Sequence, residues 1–299
     1  MKKRNASRPL LFDSDLSKER CPAKGAKGID YTEYKKEHYV LTEVTVRLPE
    51  AAKRLGRPMG KYATLQFDGT AFLLREVWEA VESATAALLR EALPAERPRL
   101  LVVGLGNRRL AVDSIGTRTA ESVTATAAWD GLFKEQTSET SVSVFCPGVY
   151  GESGMEAAEL VKAAVKLTRA SAVLAIDAMA TARVSHLLRA IELTDTGTVP
   201  GAGVGNHRLP LSRETLGVPV VAMGVPTMMR ARPHLRRALV DFGVEIGHAD
   251  SYSQKEKDLL LIPSALEDGI TDVSRLAACA INRALGFQTA VACEKGDLL

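Results

Sequence analysis

The sequence has few cysteines for its length, and they are far apart. Its 299 residues include four of them, Cys21, Cys146, Cys279 and Cys293, and no two form a Cys-x-x-Cys pair. This spacing argues against a disulfide-rich secreted scaffold and provides no zinc or redox motif. A chain of this length can bury a large core without covalent cross-links. We therefore expect reduced thiols and a cytoplasmic protein.

Long apolar runs and a strong net charge are also missing. No run approaches the roughly 18 apolar residues that a membrane-spanning helix requires. The basic Met-Lys-Lys-Arg start is not followed by an apolar signal core, so export is not expected. The formal net charge of +3 is too small to indicate nucleic-acid binding by itself. We expect neither a membrane nor a nucleic acid as a direct partner.

Several common cofactor and catalytic motifs are absent. The pair Gly104-x-Gly106 has Arg109 where a dinucleotide fingerprint needs a third glycine, and a glycine cluster at 201–205 has the wrong spacing. There is no Gly-Lys-Ser/Thr phosphate loop, no Gly-x-Ser-x-Gly elbow and no His-x-x-x-His pair. These absences argue against nucleotide binding and against a serine nucleophile, and we expect no cofactor.

The sequence does contain short apolar runs that alternate with helical patterns. The runs that predict fully buried strands lie at 100–104, 171–176 and 218–223, and the segment 141–146 predicts a further short strand. Helical spacing is found at 71–93, 114–129, 155–169 and 270–286, and a mixed, partly helical pattern at 181–193. This alternation predicts an α/β fold with a mainly parallel sheet flanked by helices on both faces.

The N-terminal part has a different pattern. Residues 1–30 are polar, basic and interrupted by glycine and proline, so we expect a flexible tail there. Alternating apolar residues at 39–48 and an apolar run at 62–67 predict two strands. With the helix at 71–93, these strands form an N-terminal addition to the core. We expect residues 31–299 to form a single α/β domain.

Two aspartates follow buried strands of the predicted sheet. Asp113 lies in the loop beyond the strand at 100–104, and Asp177 stands directly after the strand at 171–176. Because the carboxyl ends of parallel strands lie along one edge of a sheet, both side chains are expected there. Two carboxyl groups in one cleft hold protons unequally, so one can accept a proton from water while the other donates one. Such a pair can hydrolyse an amide.

Glycine-rich loops near these strands are suited to present backbone N–H groups to a peptide carbonyl or an oxyanion. The candidates for this role are Gly104, Gly106, Asn107, Gly148, Gly151, Gly203 and Gly205. Simple turn formation accounts for the same glycines. The sequence alone leaves both interpretations open.

Seven ordered segments between about residues 100 and 230 resemble the germination protease, or spore protease, family of spore-forming bacteria. They are VVGLGN (102–107), DxIG (113–116), PGVxG (147–151), AIDA (175–178), DTGxxPGxGVGN (195–206), SxETLGVPV (212–220) and GVPT (224–227). The resemblance implies a homotetrameric endopeptidase of the spore core that degrades small acid-soluble spore proteins during germination. It also implies a core fold like that of hydrogenase maturation proteases. The two aspartates proposed as catalytic in the family match Asp113 and Asp177.

The resemblance further implies a zymogen that removes a short N-terminal segment by self-cleavage. Cleavage sites in the family have the order acidic, bulky apolar, small, any residue, glutamate, and residues 15–19 (DLSKE) fit that order. We therefore expect a pro-segment at 1–15 and cleavage between Asp15 and Leu16. The basic stretch after this site differs from the acidic start expected for the family's mature chain.

Two other functions stay open at this point. A metal-dependent, maturation-type peptidase would use the same acids with a distant histidine such as His186, because carboxylates and imidazole suit several divalent metals. A non-catalytic binding protein would keep the fold without using the acids. No obvious histidine stands where the maturation proteases have theirs, which favours a metal-free aspartate pair.

Overall fold

The computed structural model describes residues 14–21, 26–96, 99–129, 140–201, 208–231, 234–235, 238, 242–243 and 259–287. The strands in these ranges are β1 (Ile29–Lys35), β2 (Tyr39–Val46), β3 (Gly60–Phe67), β4 (Arg99–Gly104), β5 (Ser141–Phe145), β6 (Ala172–Thr181), β7 (Ala190–Thr194), β8 (Val220–Arg230) and β9 (Leu260–Leu261). The α-helices in the same ranges are α1 (Ser17–Arg20), α2 (Pro49–Leu55), α3 (Arg75–Ala92), α4 (Ile115–Glu121), α5 (Tyr150–Ser153), α6 (Ala157–Thr168), α7 (Arg213–Leu216) and α8 (Leu266–Ala284).

Four parallel strands form one half of the sheet, in the order β5, β4, β6, β8, with β5 at the edge. Their side chains alternate between two apolar layers. Leu100 and Val102 of β4 pack in the layer that α3, α4 and α8 cover. Leu101 and Val103 pack in the layer that α6 and α7 cover. A strand buried on both faces needs apolar residues at successive positions. The predicted α/β class, with parallel strands and helices on both faces, is confirmed.

The sheet continues beyond β8 as an antiparallel extension made of β7, β3, β2 and β1. The strands predicted at 39–48 and 62–67 are β2 and β3. The partly helical pattern predicted for 181–193 is wrong for most of that stretch. Only the short 3₁₀ turn Val184–His186 is helical, and β7 pairs between β3 and β8. Pairing with two neighbouring strands outweighs a weak local pattern.

The longer helices form where the apolar spacing predicts them, with shifted ends. α3 covers 75–92 instead of 71–93, α6 covers 157–168 instead of 155–169, and α8 begins at Leu266. α4 is much shorter than the predicted 114–129 and ends at Glu121. Beyond it, the backbone N–H of Thr124 donates to the side chain of Asn282 in α8, at 2.9 Å. A contact with α8 therefore replaces further turns of α4.

Part of the region predicted as a flexible tail is folded. Residues 14–21 pack against the sheet, where Leu16 is fully buried (0% exposed) and α1 begins at Ser17. Residues 1–13 lie outside the described ranges. The partners of this segment in β6 and β7 are more than 160 positions away in sequence. Local patterns carry no information about such distant contacts.

The thiols and the helices of the described residues can be compared with what the composition predicts. Cys21, Cys146 and Cys279 carry free thiols, and Cys293 lies outside the described residues. Among the helices that the structure describes, none combines the length and the apolar character needed to cross a membrane.

Candidate active site

Asp113 is positioned by a tight turn after β4. The N–H of Leu105 donates to the carbonyl of Ile176 in β6, at 2.9 Å, which extends the strand pairing by one residue. Gly106 then adopts φ +99°, and a Cβ at this position would run into the carbonyl oxygen of Asp113. Only glycine fits such a backbone next to another main chain. The Asp113 carboxylate accepts the N–H of Asn107, at 2.7 Å.

The loop that carries Asp113 is also attached to β8. The hydroxyl of Thr227, which is fully buried, donates to the carbonyl of Val112 at 2.6 Å. Asp113 itself ends a short 3₁₀ turn, Ala111–Asp113, immediately before α4. The aspartate is thus held from both sides, by the Gly106 turn and by β8.

Asp177 lies within β6, which continues four residues further to Thr181. The sequence places it at the strand end, because the apolar run stops there. In the structure it stands opposite Gly224 of β8 and is only 7% exposed. The N–H of Ala178 donates to its carboxylate, at 2.9 Å. Asp177 is thus a buried carboxyl on a rigid central strand.

The two aspartates line one cavity of about 200 Å³, beyond the carboxyl end of β4 and beside Asp177 within β6. The expected convergence of the two side chains on one site is therefore present in the structure. Leu105, Val112 and Met228 give the cavity apolar walls. Apolar walls exclude water and strengthen electrostatic interactions inside the site.

The surroundings of the two carboxyl groups separate their proton affinities. Burial raises the pKa of Asp177 well above its usual value, and the negative charge of Asp113 raises it further. Burial also raises the pKa of Asp113, but the hydrogen bond from Asn107 opposes that rise, while Glu152 adds to it. The more buried Asp177 is therefore the stronger holder of a proton. The site can contain one neutral and one ionised carboxyl group.

The predicted loop glycines fall into three groups. Gly106 and Gly148 line the cavity beside Asp113. Among the described residues, Gly104 and Gly151 do not line it, and a Cβ on Gly104 would meet Gly116 and Ala120 of α4. The N–H of Asn107 is occupied by the Asp113 carboxylate. Gly203 and Gly205 lie outside the described residues.

A charged wall of the cavity was not identified from the sequence. Arg208 forms an ion pair with Glu156, at 2.8 Å, and its guanidinium lies 4.6 Å from the centre of the Tyr150 ring. All three residues line the cavity. Tyr150 and Glu156 are close in the chain, whereas Arg208 is 52 positions beyond Glu156. Neither Glu156 nor Arg208 lies in one of the family-like segments, and Tyr150 is the variable position of PGVxG.

A second cavity, of about 220 Å³, lies on the other side of Asp177. Asp15 lines it together with Asp177 and Glu192. The N–H of Asp15 donates to the carbonyl of Ala180, and the Asp15 carboxylate accepts the N–H of Ala180, both at 2.8 Å. The predicted processing site, Asp15 and Leu16, is therefore docked on the end of β6, next to one of the two candidate catalytic acids.

His186, considered above as a metal ligand, has both ring nitrogens in contact with side chains. Nδ1 pairs with Glu19, and Nε2 lies 3.0 Å from the side-chain oxygen of Gln66. Within the described ranges, no three His, Cys, Asp or Glu side chains are grouped in a way that suits a metal ion. The histidine thus belongs to the contacts of the N-terminal segment.

Comparison with known proteins gives a consistent result. A family model described as "Germination protease" matches residues 7–255. A germination protease from Clostridium perfringens is 32% identical over 277 residues, which cover 83% of this chain and 85% of that protein. One from Caldanaerobacter subterraneus subsp. tengcongensis is 35% identical over 207 residues, covering 68% and 64% respectively. Among solved structures, a hydrogenase maturation protease from Thermococcus kodakarensis is 18% identical, with a TM-score of 0.34. That alignment covers 65% of this chain and 99% of the other.

Proposed function

The chain belongs to the germination protease family, and on that basis we propose that it is an endopeptidase that degrades small acid-soluble spore proteins during germination. The observation that carries the proposal is the pair of aspartates in one cavity, of which the buried Asp177 holds a proton more strongly. A water molecule between one neutral and one ionised carboxyl group is the arrangement that amide hydrolysis needs.

In the proposed reaction Asp113 is the base and Asp177 the acid. Asp113 takes a proton from water while the water oxygen attacks the peptide carbonyl carbon. Asp177 gives its proton to the carbonyl oxygen, which produces a neutral tetrahedral diol. The C–N bond then breaks as Asp113 passes its proton to the leaving nitrogen, and a diol proton returns to Asp177. Both carboxyl groups end in their starting states.

The loops around the cavity have supporting roles in this proposal. The Gly148 backbone lies at the cavity wall, where an N–H group can bind a peptide carbonyl. Gly104 packs below the site and Asn107 orients Asp113 through its N–H. The same role for Gly151, Gly203 and Gly205 stays a prediction. From the family we also carry over a homotetramer in the spore core. Size-exclusion chromatography with light scattering measures the molar mass and so tests the number of subunits.

Cleavage of a purified small acid-soluble spore protein by the full chain tests the proposal. We expect fragments whose masses place the cut before a bulky apolar residue that follows an acidic one. A chelator is expected to leave the rate unchanged, because the proposed chemistry uses carboxyl groups alone. Loss of activity in chelator and its recovery with a divalent metal would instead favour the maturation-type alternative. An intact substrate under all conditions would favour a binding protein.

We also propose that the chain processes itself between Asp15 and Leu16. Support comes from the position of Asp15, whose charge acts on Asp177. Mass spectrometry of concentrated protein incubated at mildly acidic pH is expected to show loss of residues 1–15. The Asp113→Asn protein, treated identically, is expected to keep its full mass. Persistence of the full-length mass in both samples would contradict self-processing.

A further inference from the structure

Residues 15–19 occupy a slot on the sheet, where buried groups hydrogen-bond to the side chains of Asp15, Ser17 and Glu19 and where the Leu16 side chain is fully buried. We call it the docking slot and define it by Thr64, Ala180, Thr181, Ala182, His186 and Glu192. It lies where β6 ends and β7 begins, beside β3, which pairs with β7. The segment is extended at Leu16 and makes one helical turn, α1, from Ser17.

The first two positions of the segment are held by β6 and by the core. Asp15 pairs with both the N–H and the carbonyl of Ala180. The neighbouring Leu16 side chain is fully enclosed. A backbone N–H that binds a carboxylate and a fully buried position that holds a leucine favour an acidic residue followed by a bulky apolar one.

The third position is recognised by Glu192 of β7, which is only 2% exposed. The two carboxylate oxygens of Glu192 accept the N–H of Ser17, at 2.8 Å, and its hydroxyl, at 3.1 Å. The hydroxyl of Thr64 donates to the same carboxylate, at 2.9 Å. Ser17 is itself buried, so only a small side chain fits at this position.

The fifth position is read as a charge. The carboxylate of Glu19 accepts the hydroxyl of Thr181, at 2.7 Å, and the N–H of Ala182, at 2.8 Å, and it pairs with His186. Burial acts to raise the pKa of Glu19, but the hydrogen bond and charge of His186, together with hydrogen bonds to Ser14 and Thr181, outweigh it and lower the pKa. Glu19 is therefore bound as a carboxylate.

The fourth position is tolerant. Lys18 is half-buried and reaches Gln66 through its amino group, at 3.1 Å, a contact that many polar side chains could make. The slot as a whole therefore selects five residues in the order acidic, bulky apolar, small, any, acidic. The selectivity follows from the contacts of the slot alone.

The slot is costly to maintain unless something fills it. A buried carboxylate such as Glu192 needs hydrogen-bond donors, and two of its three come from Ser17. Without an occupant, Glu192 would keep the hydroxyl of Thr64 and the nearby charge of Arg57, and His186 would keep Gln66. An apolar surface would pack a purely structural segment at lower cost. Buried groups that hydrogen-bond to particular side chains of an occupant discriminate between occupants of different sequence.

We propose that the docking slot is the peptide-recognition site of this protein, with His186 and Glu192 as its specificity-determining residues, and that residues 15–19 are a tethered occupant of it. The inference rests on the proposed peptidase function for its biological role. A tethered occupant has an effective concentration of the order of millimolar, so it excludes free peptides of ordinary affinity. Displacing the chain's own segment should therefore open the slot.

Binding of a labelled peptide tests this without any turnover. The probe is a fluorescent copy of residues 12–20 (FDSDLSKER), and every chain carries Asp113→Asn. Leu16→Asp places a charge in an enclosed apolar site and displaces the segment. We expect this chain to bind the probe about tenfold or more tightly than the chain with an intact segment, by fluorescence anisotropy. The double variant Asp15→Asn, Glu19→Gln provides a second, milder displacement.

Variants of the probe show which positions of the peptide the docking slot recognises, and through which slot residue. A probe with Glu19→Gln is expected to bind the displaced chain about tenfold more weakly, since a charge-assisted bond to His186 is lost. A probe with Lys18→Gln is expected to bind within about threefold of the original. Adding His186→Gln to the displaced chain should bring the affinities of the original probe and the Glu19→Gln probe close together.

Two results would overturn the inference. One is equal binding of the original probe and the Glu19→Gln probe by a displaced chain with unchanged far-ultraviolet circular dichroism. The other is no gain in probe binding by either displaced chain, although hydrogen exchange shows the Ala180 and Ala182 amides newly exposed. Neither result depends on catalysis. Selective binding by the displaced chains, together with no cleavage by the chain that keeps Asp113, would contradict the proposed function instead.

Discussion

Replacement of Asp177 by asparagine is expected to lower kcat/KM for peptide cleavage by about 10³-fold, since general acid catalysis by one positioned group contributes 10²–10⁴. Asparagine has the same shape but cannot give a proton to the carbonyl oxygen. Asp113→Asn should cause a comparable loss, because the base is removed. In the unaltered protein, kcat/KM should fall at low pH as Asp113 gains a proton and at high pH as Asp177 loses one.

Asp177→Asn is expected to stabilise the fold at neutral pH. The pKa of Asp177 is higher in the folded than in the unfolded chain, so the folded state binds the proton more strongly. Its contribution to stability is greatest below the unfolded pKa of about 3.9 and declines as pH rises through the folded pKa. Asparagine has no proton to lose. The melting temperature of Asp177→Asn should therefore exceed that of the parent chain at pH 7, with a smaller difference at pH 4.

Asp268→Asn is the matched control, because Asp268 is exposed in the first turn of α8. It should retain full activity and an almost unchanged melting temperature. An Asp177→Asn protein that keeps wild-type kcat/KM would remove Asp177 from the chemistry. A lower melting temperature at pH 7 would show that its carboxyl group is needed for folding.

Gly106→Ala is expected to lower both stability and activity. A Cβ at this position meets the carbonyl oxygen of Asp113 and comes within 3.0 Å of its carboxylate. The φ of +99° is strained for alanine even without this clash. We expect a loss of about 3 kcal/mol in the free energy of unfolding, measured by urea denaturation. Because the turn sets the position of Asp113, kcat/KM should fall by about 10²-fold.

Gly217→Ala separates the two causes of this effect. Gly217 also has a positive φ, +79°, but a Cβ there would have nothing within 4 Å. Alanine at 217 should cost about 1 kcal/mol through backbone strain alone, with kcat/KM unchanged. If Gly106→Ala were no more harmful than Gly217→Ala, the contact between the Gly106 turn and Asp113 would have no catalytic importance.

The central sheet was predictable because its strands are buried on both faces. The runs at 100–104 and 171–176 are apolar at successive positions, a pattern that a one-sided strand does not show. From these two strands followed the prediction that Asp113 and Asp177 lie near each other, and both line one cavity, although Asp177 lies within β6 and not at its end. The β7 strand was not predictable in this way, since Glu192 interrupts its apolar pattern and its pairing partners are distant in sequence.

The remaining parts of the candidate site depend on contacts between distant segments. Arg208 becomes part of the cavity only through its ion pair with Glu156. His186 is an isolated histidine in the sequence. Its role follows from its contact with Glu19, which lies 167 positions earlier in the chain. A processing motif was visible at 15–19, but the groups that contact it were not. Sequence patterns indicate helices, strands and strand ends, whereas contacts between side chains that are distant in sequence appear only in the folded structure.

The helical turn Ser17–Arg20 has a consequence for the conformation of the proposed protein substrates. Four residues are far too few to hold a helix by themselves in water. Their shape is imposed by the surface beneath them, and the same holds for a foreign chain in that place. A stretch already fixed in a long helix or a sheet of its own cannot bend in this way. A substrate would then be cleaved only where a matching sequence lies in a locally disordered segment.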